Sequence, residues 1–394
     1  MTTAVEQARR TPDSGDHIAQ VQARLIDLPL PAPISDAKVT TGRQRPLTSV
    51  AVLVAEITTD QGQQGLGISY SKRAGGDGLY AHAQEIMGGY LAEDPNDIGR
   101  LWEQAVWAGA SVGRSGIATQ AIAAFDIALW DLKARRAGVS LAKLLGAHRD
   151  GVPCYNTTAG FLSAPIQEVI ERSHQLVERG IGGIKIKVGQ PDSRTDLERL
   201  TAVREAMGDD VPLMVDANQQ WDRPTALRVC RALDTFGLVW IEEPLDAYDM
   251  GGHAELARRL DTPIATGEML TSVGEHQQLL DAEAVGYAQP DAPRVGGITP
   301  FLKIATLAEL QHVSLAPHYV MEIHVHLAAA FPGAVWVEHF EWLEPLFEER
   351  LEVRDGLMRV PERAGLGLTL SSYAHECLVD SSTADVNQID RQRR

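Results

Sequence analysis

Seven ionisable residues recur at a nearly constant interval along this 394-residue chain. They are Lys187, Asp216, Glu242, Glu268, Asp291, His318 and Glu338, spaced 29, 26, 26, 23, 27 and 20 residues apart. Each ends or closely follows a short apolar run. A strand that emerges into water can end in a polar residue for no functional reason, but seven in register are not explained that way. Three of them, Asp216, Glu242 and Glu268, are carboxylates on consecutive repeats. Gathered in one place they repel unless a cation sits between them. An all-oxygen trio with room for water and substrate suits Mg2+, whereas zinc more often recruits His or Cys. Carboxylates paired only with lysines are the plainer reading, and the two can coexist.

Lysines supply the other half of the chemistry. In IKIKV (184–188) Lys185 and Lys187 alternate with β-branched residues and so share one face of a strand. Two ammonium groups side by side in a buried strand are costly unless paired or used. A nearby metal and a second ammonium are expected to lower Lys187 from its ordinary value of about 10.4 and make it a base. His318, with Asp291 one repeat earlier, forms a second acid/base whose tautomer the carboxylate would fix. A metal between two acid/bases suits removal of a proton α to a carboxylate. Glu242 keeps phase with the other strand ends, so Glu243 is expected to face outward or to brace its neighbour. Asn218, two residues beyond Asp216, is a possible ligand contact, although Asn is also a common turn residue. His253, His276, His324 and His326 fall in helical patterns and are assigned to packing or solvent.

These residues need a scaffold. After Gly151 the apolar runs VPCYNTT, IKIKV, LMVDAN, LVWIEE, PIATGE, YAQPD, VSLAPH and AVWVEH alternate with amphipathic segments at roughly 25-residue spacing. Eight such repeats predict an α/β fold with a (β/α)8-type, TIM-like barrel over 151–350, its site at the C-terminal ends of the strands. An open doubly wound sheet is the alternative, but the chain lacks a glycine-rich dinucleotide loop. Residues 18–150 read as strands followed by helices, an α+β capping domain. Residues 1–17 read as a disordered tail, and 351–394 as a C-terminal segment that packs on the cap. The formal charge of -17 argues against nucleic acid or an anionic membrane as partner. The polar N-terminus has no apolar h-region, no run suits a membrane span, and the three scattered cysteines suit a reducing cytoplasm.

The motifs KIK at 185–187, VDAN at 215–218, WIEEP at 240–244, TGE at 266–268, PDAPRVGG at 290–297 and APH at 316–318 resemble the mandelate racemase branch of the enolase superfamily, over about residues 18–372. The resemblance implies one Mg2+ per subunit on Asp216, Glu242 and Glu268. It implies acid/base roles for Lys187 and for the His318–Asp291 pair. It also implies that Lys185 and Glu338 assist at the substrate carboxylate, Glu338 as a protonated donor. Within that branch, PISDAKVTTGRQRPLT, SYSKRAGG, WAGASVGRSG, NQQWDR, EEPLDAYD, TGEMLTS and VEHFEWLEPLF are similar to the L-talarate/galactarate dehydratases. That likeness implies dehydration of a six-carbon aldarate dianion to 5-keto-4-deoxy-glucarate, with possible side epimerisation, and substrate contacts at Asp36, Lys38, Lys72 and Arg73. It further implies a homo-oligomer, an octamer being one form. A dehydratase for glucarate or fuconate, a hydroxy-acid racemase or epimerase, and an inactive sugar-acid sensor are the competing readings.

Overall fold

The computed structural model describes residues 15–387. Three long strands, β1 (Ile18–Ile34), β2 (Leu47–Thr59) and β3 (Gln64–Lys72), form an antiparallel meander. Val50, Val52, Val54, Ile68 and Tyr70 on this sheet are fully or almost fully buried. The helix Ile117–Arg136 lies on β2 and β3, and 14 of its 20 residues are buried, as expected of a helix covered on most sides. Its close approach depends on two glycines of β3. A Cβ at Gly65 or Gly67 would meet the carbonyl oxygen of Ala128 or Ala124 at 2.1 and 2.0 Å.

Eight parallel strands follow: β4 (Gly151–Gly160), β5 (Gly183–Lys187), β6 (Leu213–Asp216), β7 (Ile241–Glu242), β8 (Ile264–Thr266), β9 (Tyr287–Ala288), β10 (Ser314–Leu315) and β11 (Val337–His339). Each of the eight apolar runs expected to be a strand overlaps one. From β4 to β10 each strand pairs with the next, and β11 returns to pair with β4. The remaining gap, between β10 and β11, carries no ladder; the single parallel bridge Leu315↔Val335 spans it. Helices cover the outside, and many of their starts are capped: Asp192, Asp222, Asp249 and Ser272 each accept a hydrogen bond from an N–H of the first turn.

The chain after the barrel divides, and this corrects the expectation that all of it packs on the cap. β12 (Val353–Arg354) and β13 (Leu357–Arg359) form a hairpin whose second strand runs antiparallel to β4, so it belongs to the barrel. β14 (Leu378–Asp385) joins the sheet of the cap, pairing antiparallel with β1, and the stretch before it packs on the cap helix: Asp131 accepts the Leu366 N–H at 2.6 Å and Arg135 donates to the Leu368 carbonyl at 3.0 Å. Of the expected 1–17 tail, residues 1–14 lie outside the described residues, whereas Asp16 is buried and pairs with Arg136. The basic RQRR terminus likewise lies outside them.

Cap and barrel are joined by polar contacts. Thr299 donates through its backbone N–H (2.9 Å) and hydroxyl (2.5 Å) to Asp126 of the helix Ile117–Arg136. Trp102 Nε1 donates to the Gly296 carbonyl at 2.8 Å. Arg43, in the loop after β1, donates to the Gln219 carbonyl at 3.2 Å. Among the described residues, no helix is long and apolar enough to cross a membrane.

Candidate active site

A cavity of about 310 Å3 lies between the cap and the C-terminal mouth of the barrel. Asp36, Lys38, Lys72 and Arg73 line it from the cap; Lys187, Asn218 and Glu268 line it from the barrel. Residues picked from distant motifs thus share one wall. Register explains the barrel side. Lys187 pairs with Asp216 across β5 and β6, and Asp216 with Glu242 across β6 and β7, so all three sit at one level.

Lys185 is 1% exposed and points into the barrel. Its ammonium lies 2.8 and 2.9 Å from the two oxygens of Glu242, 3.1 Å from Glu338 Oε1 and 3.9 Å from Asp216 Oδ2. Burial works against its charge, but Glu242 and Glu338 outweigh it and hold its pKa well above the ordinary value. Trp240 Nε1 (3.0 Å) and Gln289 Nε2 (2.8 Å) also donate to Glu242. Burial, followed by Asp216, still pushes Glu242 up to about 8.

Lys187 forms an ion pair with Asp216. The low titration expected of it depends on a bound metal. Here burial is the largest influence and lowers its pKa, but the charges of Asp216, Glu242 and Glu268 together outweigh burial and Lys185, and the net shift is upward. A cation that took Asp216 would remove that partner. Asn218, at φ +45°, folds back so that its N–H and Nδ2 donate to Asp216 at 2.8 and 3.1 Å.

His318 and Asp291 meet as expected: Nδ1 lies 2.8 Å from Asp291 Oδ2. Nε2 lies 3.5 Å from Glu268 Oε2. Burial alone would raise both carboxyls, but His318, assisted by Arg294 and, at Glu268, by Lys38 and Lys187, holds each down to about 2. His324 and His326 are structural: each accepts a backbone N–H, from Ala292 and Ala142 respectively.

Glu338 and Glu243 lie deeper in the site. Glu338 accepts from Thr157 Oγ1 (2.6 Å), the Tyr319 N–H (3.0 Å) and Lys185; burial raises its pKa, but Lys185, His318, the Thr157 hydrogen bond and Lys187 together hold it down to about 2. Glu243 does not face outward. Its backbone turns left-handed (φ +41°), its side chain is fully buried, and its carboxyl accepts from Gln219 Nε2 at 2.8 Å. Burial, then the nearby Glu268, raise it, and Lys38 opposes them. The strict alternation assumed for the strand ends at Glu242, so a left-handed residue re-aims the next side chain.

The donor set suits a divalent cation. Asp216, Glu242, Glu243 and Glu268 are buried carboxylates within electrostatic reach of one another. Glu243 Oε2 and Asn218 Oδ1 are buried oxygens without a hydrogen-bond partner. All are hard oxygen donors. Among the described residues, the one trio of metal-capable groups with ligand atoms within 4.8 Å of one another is His339, Glu341 and Glu344, at the barrel rim. Asp216, Glu242 and Glu268 stand farther apart than that, each drawn onto a lysine or histidine.

Several cavity residues escaped the sequence reading. Tyr70 and Arg294 line it, as do Phe161, Met269, Thr271 and Trp342. Arg294 and Tyr70 both lie inside motifs quoted above, PDAPRVGG and SYSKRAGG, and neither was singled out there.

Against known families, residues 21–146 match the mandelate racemase / muconate lactonizing enzyme N-terminal domain and residues 168–374 the enolase C-terminal domain-like family. The chain is 62% identical over 366 residues to an L-talarate/galactarate dehydratase of Salmonella typhimurium, covering 93% of this chain and 92% of the relative. It superposes with a TM-score of 0.93 on L-talarate dehydratase of a Polaromonas species complexed with Mg and L-glucarate, at 63% identity, covering 94% of this chain and 100% of that one. The same score relates it to the Salmonella typhimurium enzyme liganded with Mg and L-lyxarohydroxamate, at 59% identity, covering 98% and 97%.

Proposed function

Because this chain belongs to the mandelate racemase / muconate lactonizing enzyme family of the enolase superfamily, we propose that its site dehydrates galactarate, L-talarate or both to 5-keto-4-deoxy-glucarate. It is a Mg2+-dependent acid-sugar dehydratase, a hydro-lyase. The observation that carries the choice of a diacid is the cavity itself. Its barrel wall has Lys187 for one end of the substrate, and its cap wall has Lys38, Lys72 and Arg73 for a second carboxylate. Arg73 already has Asp36 as its counter-charge; a monoacid would leave Lys38 and Lys72 without a substrate carboxylate.

Asp216, Glu242 and Glu268 are the residues that would hold Mg2+. Bound there, the ion supplies the positive charge that makes an α proton removable. Lys187 Nζ takes that proton. His318, protonated on Nε2 and held on Nδ1 by Asp291, gives its proton to the departing β-hydroxyl, which leaves as water. The enol then ketonises. Lys187 ends β5 and His318 follows β10, well apart around the barrel, so the two act on opposite faces of the substrate. Reprotonation on the wrong face accounts for side epimerisation. Lys185 and Asn218 orient the reacting end, and Asp36 fixes Arg73 at 3.0 Å on the far wall. Free cysteines suit a cytoplasmic enzyme, and the exposed Trp107 and Val112 suit assembly into a homo-oligomer.

The test incubates the protein with Mg2+ and a panel of acid sugars, with an EDTA control, and assays keto-deoxy product with a semicarbazide-type reagent. Metal-dependent product from galactarate or L-talarate is expected. Product only from a monoacid would overturn the role of the cap cations. Deuterium exchange without product would favour an epimerase.

A further inference from the structure

We infer that Tyr70, contributed by the cap, is a positioning residue that completes the His318–Asp291 pair of the barrel. The inference rests on the reading of His318 as the acid that protonates the leaving hydroxyl. Tyr70 lies near the end of β3 and is fully buried. Its hydroxyl donates to Asp291 Oδ2 at 2.6 Å, the same oxygen that faces His318 Nδ1 at 2.8 Å. It also stands 3.4 Å from His318 Nδ1 itself. Asp291 Oδ1 accepts the Arg294 N–H at 3.1 Å, so donors hold both carboxylate oxygens. Without the hydroxyl, Oδ2 keeps the imidazole alone, and both side chains gain freedom to turn.

The ring is itself fixed. Its edge-on partner Tyr319 lies 4.9 Å away between centroids, and the Arg294 guanidinium sits 5.7 Å from its centre. Behind it, Gln120 Nε2 donates to the Tyr70 carbonyl at 3.0 Å. None of these groups touches Lys187, which pairs with Asp216 on the neighbouring strand. The barrel thus builds the base unaided, while the acid is finished only where the cap is seated.

That asymmetry gives a readout that general loosening of the fold would not produce. In the proposed reaction the α proton passes to Lys187, then the C–O bond breaks as His318 delivers its proton to the oxygen. Misaligning His318 slows the second event and spares the first, so the intermediate returns to substrate more often, carrying deuterium from solvent. Tyr70→Phe retains the ring and its packing. In D2O with Mg2+ and galactarate or L-talarate, it should lower dehydration kcat by about 10- to 100-fold, part of what a general acid supplies. KM should stay within about threefold, and α-deuterium in recovered substrate, per dehydration event, should rise at least about tenfold. Gln120→Leu keeps the hydroxyl but loosens its strand, and should move the same ratio the same way by a smaller factor. A lower kcat with an unchanged exchange-to-dehydration ratio in both variants, or kinetics like wild type, overturns the inference. Wild-type protein that neither exchanges nor dehydrates any acid sugar overturns the underlying reading, and the inference with it.

Discussion

Lys185→Met isolates the cost of holding Glu242 without a metal. Methionine has similar length and flexibility, so the steric change is small, below about 1.5 kcal/mol. What disappears is the cation 2.8 and 2.9 Å from the Glu242 oxygens and 3.1 Å from Glu338, at a site 1% exposed. Trp240 and Gln289 remain as donors, but neither carries charge. Removing one partner of a buried ion pair costs about 3–5 kcal/mol. At about 1.2 °C per kcal/mol for a chain of this length, the metal-free variant should unfold roughly 4–6 °C below wild type. Burial, then Asp216, already raise Glu242 to about 8. Loss of Lys185 raises it further, so a proton relieves the charge at low pH, and the deficit should be larger at pH 8.5 than at pH 6. Mg2+ should restore most of the difference, because a cation that binds only the folded state stabilises it by mass action. Its affinity should increase, the competing ammonium being gone. Calorimetric melts in EDTA and in Mg2+, with a Mg2+ titration of both proteins, measure all of this. Equal metal-free melting temperatures together with weaker Mg2+ binding in the variant would refute the argument that Lys185 and the metal share Glu242.

Burial, assisted by Arg294, lowers Lys72 to about 7. For a substrate whose far carboxylate needs that charge, kcat/KM should fall as pH rises above about 7; Lys72→Arg should flatten this limb, and Lys72→Met should raise KM about 10- to 100-fold at pH 6.5, the worth of a charge-assisted hydrogen bond. Burial, then Glu344, raise Glu322 to about 8, and no side-chain donor reaches its oxygens. A carboxyl raised on folding binds its proton more tightly in the folded state, so stability is lost as pH climbs from about 4.3 through 8; Glu322→Gln should narrow the gap between melting temperatures at pH 6 and pH 8.5, and an unchanged gap would refute this. Asp131 accepts from the Leu66 and Leu366 N–H groups at 2.8 and 2.6 Å and pairs with Arg135 at 2.6 Å. Asp131→Asn should cost about 3–5 kcal/mol in urea unfolding, and a loss under about 1 kcal/mol would show that this junction is not stapled by its charge.

The barrel strands were legible because buried parallel strands are short apolar runs and their polar ends repeat with the fold's own period. The ligand carboxylates, Lys187 and His318 share that signal. Of the two alternatives for Glu243, the outward-facing one fails because alternation holds only while the backbone stays extended, and its φ of +41° breaks it. The states of Lys187 and Glu338 depend on which charges lie within a few ångströms, which spacing along the chain does not encode. Tyr70 looked like any aromatic in a core strand. β14 was invisible for a simpler reason: LVDSSTAD is largely exposed, with no apolar alternation, and is a strand only because β1 offers it an edge.

The pairing of β14 with β1, Asp385 opposite Gln20, has a biosynthetic consequence. At about 5–20 residues per second, roughly 20–70 s pass on the ribosome between the two strands. Throughout that time β1 presents an open edge, the feature that most readily recruits a stray strand from another chain. Newly made protein is therefore most vulnerable to aggregation late in synthesis, when every catalytic side chain has been translated but the strand that shields the cap has not.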